Sequence, residues 1–242
     1  MHWHATHLSM RIHKKGAVNT VSPHEGTIQF AYDLASDPSP KLDADTFAEL
    51  AAWRSILYQL GLLGQSRNLY EGYAYGNLSL RTSPSEDFVI TASQTSGEAH
   101  LHPEHLVQVT HCNLSRFWIE ARGTEPPSSE SVTHAMIYQA DQRMRCVFHV
   151  HSQTIWQSRS VLKLPQTGVD VPYGSMAMVE AVDELMQTQQ SRPLVFATAG
   201  HEDGVFACGH TPRECGNLLV AYLARARAIE LKVNGHSGSA NE

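Results

Sequence analysis

Between residues 72 and 113 the chain spells one β-rich segment after another, with no helical period separating them. The segments are "GYAYGNLSLRT" (72–82), "DFVITAS" (87–93) and "HLVQVTHCN" (105–113). Parallel strands need a long crossover, usually a helix, between successive members, whereas antiparallel strands need only a short turn. A run of consecutive strands without a helix therefore excludes a strictly alternating, doubly wound sheet over this region. Helical patterns lie on both sides of it, so the expectation is a layered α/β sandwich around a largely antiparallel or mixed sheet.

The flanking elements fill in that frame. "GTIQFAYDL" (26–34) reads as a first strand, which Pro38 and Pro40 terminate. "DADTFAELAAWRSILYQLGLLG" (43–64) carries Phe47, Leu50, Trp53, Ile56, Leu57 and Leu60 at helical spacing, which predicts one buried face. An Asp or Thr stands ready to cap its start, and Gly61 or Gly64 to end it. Further helices are predicted over 128–141, 175–190 and 211–235, the last opened by Thr211 and Pro212. "RCVFHVH" (145–151), "PLVFATAGH" (193–201) and "GVFACG" (204–209) read as strands, the last two as partners. Tyr75, Gly76 and Asn77 suggest a hairpin turn. No internal repeat or linker divides the chain. The expected organisation is a loosely ordered arm over 1–25, one domain over 26–235 and a flexible tail over 236–242.

Composition narrows the function classes. A net charge of −6, with no basic run interleaved with aromatics, gives no nucleic-acid footprint. No stretch approaches the roughly 20 apolar residues of a membrane span. Cys112, Cys146, Cys208 and Cys215 form no C-x-x-C pair, and the first 20 residues lack an apolar secretory core. A cytoplasmic protein with reduced thiols is expected. Histidine stands out at 15 copies, but His2, His4, His7, His13 and His24 lie in the arm and read as solvated.

His149 and His151 are different, because they interrupt an apolar strand. Positions i and i+2 of a strand project from one face, so the two imidazoles can converge. They are either strand-end histidines held by neighbours or two ligands of one metal ion. A catalytic metal site commonly takes three protein ligands and keeps one position open. His201, at a tight turn beside Gly200, is the best third ligand; its bland reading is a solvated turn histidine. Cupin-like sites want a glutamate soon after the His-x-His pair, and "SQTIW" supplies none. Glu130, following "PPSS" where the chain enters a helix, is either a helix-start carboxylate favoured by the dipole or an acid/base beside a metal. That helix start, the turn at 75–81 and "QTSG" (94–97) are each friendly to an anion.

In order, "GNLSLR", "TASQTSG", "PSSESVTHAMIY", "VFHVHS" and "AGHEDGVFACGHT" resemble the class II aldolase/adducin family, which includes fuculose-phosphate aldolases and ribulose-phosphate 4-epimerases. The resemblance spans about residues 45–232. It implies a three-layer α/β/α sandwich over a mainly antiparallel or mixed sheet, assembled as a homotetramer. It implies that His149, His151 and His201 bind a divalent metal, usually Zn2+, and that Glu130 is the catalytic acid/base. Gly76, Asn77, Ser96, Gly97, Ser128 and Ser129 match the family's cradle for the substrate phosphate. The implied function is a metal-dependent lyase-type enzyme, acting by aldol cleavage or related enediolate chemistry on a small hydroxy-carbonyl compound, with or without a phosphate. The alternatives are a non-catalytic, adducin-like scaffold module and a zinc-dependent hydrolase. The implied partner is a small-molecule substrate, with no nucleic acid and no membrane. Two positions depart from the family pattern: Asp170 stands near where the aldolases carry a tyrosine, and the tail "NGHSGSANE" has no tyrosine.

Overall fold

The structure, a computed structural model, describes residues 26–37, 40, 42–81 and 87–237, with side chains through residue 233. Its elements in chain order are β1 (Ala31–Ser36), α1 (Ala44–Gln59), β2 (Gly64–Gln65), β3 (Ala74–Tyr75), β4 (Asn77–Leu80), β5 (Phe88–Thr91), β6 (Leu106–Asn113) and β7 (Trp118–Gly123). They continue with α2 (Ser131–Ala140), β8 (Cys146–His151), α3 (Gln153–Gln157), α4 (Met176–Thr188), β9 (Leu194–Ala197), β10 (Gly204–Gly209) and α5 (Pro212–Ser237). Three short 3-10 turns, around residues 70–72, 103–105 and 114–116, complete the chain.

Eight strands form one sheet in the order β1-β7-β6-β5-β4-β8-β10-β9. Every pair in it is antiparallel except β1 with β7, so the sheet is mixed, as expected. Alternation along each strand sends side chains to two separate cores. On one face Val147, Phe196, Phe206 and Cys208 pack with Val132, Met136, Val179 and Val182 of α2 and α4. On the other, Phe148, Val150, Val205 and Ala207 pack with Leu50 and Leu57 of α1, Ile155 of α3 and Leu219 of α5. The result is an α/β/α sandwich.

The helix starts are set by local hydrogen bonds. Asp43 Oδ1 accepts from Thr46 N at 2.9 Å to cap α1, and the Ser175 hydroxyl accepts from Met178 N at 3.1 Å to cap α4. Among the described residues no helix is long and apolar enough to cross a membrane.

Four expectations need correction or fall outside what is described. The first strand begins at Ala31 rather than Gly26, because the carbonyls of Gly26 and Thr27 accept from the side chains of Gln94 and Tyr173 instead of from a neighbouring strand. The Gly76–Asn77 step is no hairpin. β3 pairs with β2 in a small second sheet, while β4 belongs to the main one. Gly76, at φ 80°, makes that switch; a Cβ there would lie 2.7 Å from Leu63 Cβ. The inward stripe of α1 is Leu50, Arg54 and Leu57, whereas Ile56 and Leu60 are about two-fifths exposed. The arm at 1–25 lies outside the described residues; of the tail, only the backbone of residues 236 and 237 is described, as the end of α5.

Candidate active site

β8 runs between β4 and β10 in the middle of the sheet, and its C-terminal half carries His149 and His151. Cross-strand register places Asn77 of β4 and Phe206 of β10 on either side of His149, and Gly204 opposite His151. The Phe206 ring stacks on His149 with centroids 4.2 Å apart. The chain then turns at Thr198–Gly204, where His201 N donates to Thr198 O and Gly204 N to His201 O, both at 3.1 Å. That turn returns His201 over the ends of β8 and β10. The three imidazoles are buried, and one ligand atom from each lies within 4.8 Å of the others. The structure therefore brings together three histidines that the sequence spreads over more than fifty positions.

The donor chemistry fits a metal ion. His149 Nε2 and His151 Nε2 face one another at 3.2 Å, which demands a shared proton or a shared cation between them. Two nitrogens bound at about 2.0–2.1 Å to one tetrahedral ion stand about 3.3 Å apart. Buried imidazoles pointing at one spot, with a carboxylate beside them, match the ligand preferences of a divalent metal ion.

Glu130 occupies the N-cap position of α2, yet its carboxylate makes no capping hydrogen bond. Instead Oε2 accepts from the Thr133 hydroxyl at 2.8 Å, and Oε1 lies 3.6 Å from His201 Nδ1. The carboxylate is buried and turned towards the histidine cluster. A cap is thus the role the geometry leaves out.

Of the six residues matched to a cradle, Gly76, Asn77, Ser96, Ser128 and Ser129 line one recess. Ser96 donates its hydroxyl to Gly76 O, and an isolated bridge between Ala92 and Pro127 brings the serine pair alongside. Gly97 sits just behind and packs against Gln65. Arg54, fully buried, donates from α1 to the carbonyls of Thr95 and Glu98 and so holds this turn from below. Burial pulls its guanidinium down to about 10.

Three tyrosines surround the histidines, and sequence reasoning singled out none of them as a site residue. Tyr70 stands edge-on to His151 at 4.7 Å and donates to Asp203 Oδ2 at 2.8 Å. Tyr75 lies 5.6 Å from the same imidazole, and burial holds its phenol above the ordinary tyrosine range. Tyr173 lies 4.7 Å from the His201 ring and donates to Thr27 O at 3.2 Å. An open cavity of about 300 Å3 reaches His151 past Tyr70, Tyr75 and Asp203. Spacing offered no signal for these residues, because their partners are distant in the chain.

With this geometry in view, the comparisons are direct. The description "Class II Aldolase and Adducin N-terminal domain" matches residues 57–229, and the chain belongs to that family. Solved structures share the fold at low identity. L-fuculose-1-phosphate aldolase from Thermus thermophilus superposes with TM-score 0.59 at 20% identity, over 80% of this chain and 97% of its own. YgbL from Escherichia coli, described no more narrowly than as an aldolase/epimerase/decarboxylase, gives 0.59 at 20%, over 79% and 91%. A sugar-phosphate aldolase from Thermotoga maritima gives 0.58 at 16%, over 79% and 95%. No curated protein matches by sequence.

Proposed function

We propose that this protein is a divalent-metal-dependent enzyme of the lyase type, acting on a small hydroxy-carbonyl compound. One observation carries the reading: three buried imidazoles converge with a buried, non-capping carboxylate 3.6 Å from one of them. His149, His151 and His201 would hold the ion, and Zn2+ suits their chemistry best. When bound, such an ion polarises a carbonyl and stabilises the negative charge that develops on its oxygen.

The chain's own residues do the rest. Glu130 Oε1 faces the cluster and moves the proton, while the hydroxyl of Thr133 fixes Oε2 and so the rotamer. Asn77, Ser96, Ser128 and Ser129 receive the end of the substrate remote from the reacting carbon. Phe206, stacked on His149, and the tyrosines around His151 and His201 keep the imidazoles oriented and largely dry. Retro-aldol cleavage, epimerisation and dehydration all need these same elements, so the site defines the chemistry's core and leaves its final step open. Assembly as a homotetramer belongs to the same reading and rests on family membership. The four buried cysteines, none of them in a disulfide, accord with a reducing compartment such as the cytoplasm.

The test combines metal analysis with exchange. Purified protein should bind about one equivalent of zinc, manganese or cobalt, and the combined His149→Ala, His151→Ala and His201→Ala variant should bind none. The loaded protein should exchange solvent deuterium into the carbon next to the carbonyl of a keto-sugar, and Glu130→Gln should stop it without releasing the metal. Failure to bind any of the three metals overturns the proposal. Metal binding without exchange or turnover on a broad keto-sugar panel points instead to a scaffold module, and ester or amide cleavage to a hydrolase.

A further inference from the structure

The segment 74–76 divides two openings. Ala74 and Gly76 line the serine recess, whereas Tyr75 lines the open cavity of about 300 Å3. Alternation along an extended chain sends neighbouring side chains to opposite sides in this way. The other walls of the cavity come from the end of α1, the start of α3 and α5, and His151 is common to the cavity and the histidine cluster. Its size matches the lower end of the roughly 300–1000 Å3 that small-molecule sites occupy.

Asp203 is the polar centre of this cavity. It is 7% exposed, and its Oδ2 accepts from the Tyr70 hydroxyl at 2.8 Å. Its Oδ1 is buried with no hydrogen-bond partner among the described residues, an arrangement that costs stability. Tyr70 and Asp203 also both sit at positive φ, which adds backbone strain beside the same cavity. An aspartate χ2 is broad, so the carboxylate can keep Tyr70 on one oxygen and turn the other to a ligand. The end of α1, with no basic residue in its last turn, adds partial negative potential. Ser152 and Thr154 contribute buried hydroxyls, and Leu60, Leu62 and Leu223 contribute apolar surface.

We propose that this cavity is a second substrate subsite, which holds a hydroxylated carbon chain between the Asp203 carboxylate and the rings of Tyr70 and Tyr75. The proposal rests on the function proposed above and narrows its substrate class. The substrate is a carbonyl compound whose chain runs on past the reacting carbons and carries hydroxyls there, while the serine recess keeps the other end. A hydroxyl donates to the carboxylate and accepts from Ser152 or Thr154. The C–H surface of the chain covers the rings and leucines. An anion is repelled by Asp203 and by the end of α1. An ammonium suits the acceptors but stands beside a histidine that would carry a divalent ion, and like charges repel strongly where water is scarce. The neutral hydroxyl is the donor that these surroundings favour.

Calorimetry on the zinc-loaded full chain tests this with three probes of equal length, each ending in the same metal-chelating hydroxamate. At the far end one carries two adjacent hydroxyls, the second is bare and the third carries an ammonium. The wild type should bind the diol about tenfold or more tightly than the bare chain, the scale of one hydrogen bond to a carboxylate, and more tightly than the ammonium. Asp203→Gly suits the backbone at φ 63° and should erase the advantage of the diol, with the zinc content of the variant measured alongside. Leu223→Trp, which crowds the cavity from α5, should do the same with zinc content unchanged. Equal binding of the diol and the bare chain by the wild type, or a diol advantage that survives both variants, overturns the inference and leaves the proposed function standing. Tightest binding of the ammonium overturns it in favour of a cation site. No binding of any probe by zinc-loaded protein overturns the proposed function as well. If Asp203→Gly fails to fold or to hold zinc, the wild type and Leu223→Trp decide between them.

Discussion

Tyr70 donates its phenolic hydrogen to Asp203 Oδ2 at 2.8 Å across 133 residues of chain, and the same ring stands edge-on to His151. Both residues are held at positive φ, 48° and 63°, a conformation that non-glycine residues adopt only at a cost of about 1–3 kcal/mol each. Asp203 also accepts at its carbonyl from Ser152 N, the residue after His151. The pair therefore ties the loop before β3 to both ends of the histidine cluster. Tyr70→Phe removes only the hydroxyl. It should cost about 1.5–3 kcal/mol in urea unfolding, as for a hydrogen bond to a charged group. It should also loosen zinc by about tenfold in competition with a chelator, the lower range for groups supporting metal ligands. If neither quantity moves, the contact has no part in ordering the site.

Thr133 is one helical turn beyond Glu130, and its hydroxyl donates to Glu130 Oε2 at 2.8 Å. Thr133→Val keeps shape and β-branching while freeing the carboxylate. Its expected signature is a kcat lowered about tenfold, a fraction of the roughly 10²–10⁴-fold that a positioned acid/base supplies because the carboxylate itself remains, with zinc content and KM unchanged. Thr133→Ser should restore most of the loss. A lowered zinc content in the valine variant would instead make Thr133 a part of the metal site's frame.

His134 gives the protein a defined acid sensitivity. It is fully buried under Phe206, and its Nδ1 shares a 2.7 Å hydrogen bond with Ser79, which also meets the Tyr138 hydroxyl at 2.7 Å. Burial drives its pKa from 6.5 down to about 3. The unfolded chain thus takes up a proton near pH 6.5 that the folded chain refuses until about pH 3. Stability is whole above pH 6.5 and falls as pH drops through that window, by at most about 1.4 kcal/mol per unit from this residue. Urea unfolding at several pH values between 7.5 and 4.5 should show a flatter curve for His134→Gln than for the wild type. Parallel curves would remove His134 from the acid response.

Much of this architecture was legible because it is local or periodic. The strand run at 72–113, the apolar interruption at His149 and His151, and the glycine turn around His201 each follow from spacing within a few residues. What escaped depends on partners far away in the chain. β7 carries little β signal of its own, because "WIEARG" has a single β-branched residue, and it forms by pairing with β6 and β1. The Gly76–Asn77 step looks like a hairpin in isolation, but β8 captures β4 at Asn77–His149 and β2 captures β3. The tyrosines carry no motif; only the fold sets them against His151 and His201. Arg54 is the sharpest case. Helical periodicity puts position 54 on the same stripe as Leu50 and Leu57, where a charge looks excluded.

Its burial is explained by carbonyls 41 and 44 residues away, since the guanidinium donates to Thr95 O and Glu98 O. Those acceptors bracket Ser96 and Gly97, so Arg54 fixes the turn that presents the Ser96 hydroxyl to the recess. Arg54→Met fills similar space with an unbranched side chain and leaves both carbonyls without their charged donor. The variant should lose roughly 2–3 kcal/mol in urea unfolding, the scale of hydrogen bonds to a charged group. Amide hydrogen exchange should speed up selectively over residues 94–98, and the kinetic penalty should fall on KM rather than kcat because the reacting atoms are untouched. Arg54→Lys should rescue only part of this, because an ammonium lacks the planar fork that spans two acceptors. Uniformly faster exchange across the sheet, with no selective loss at 94–98, would show that Arg54 supports the core in general and does not position that turn.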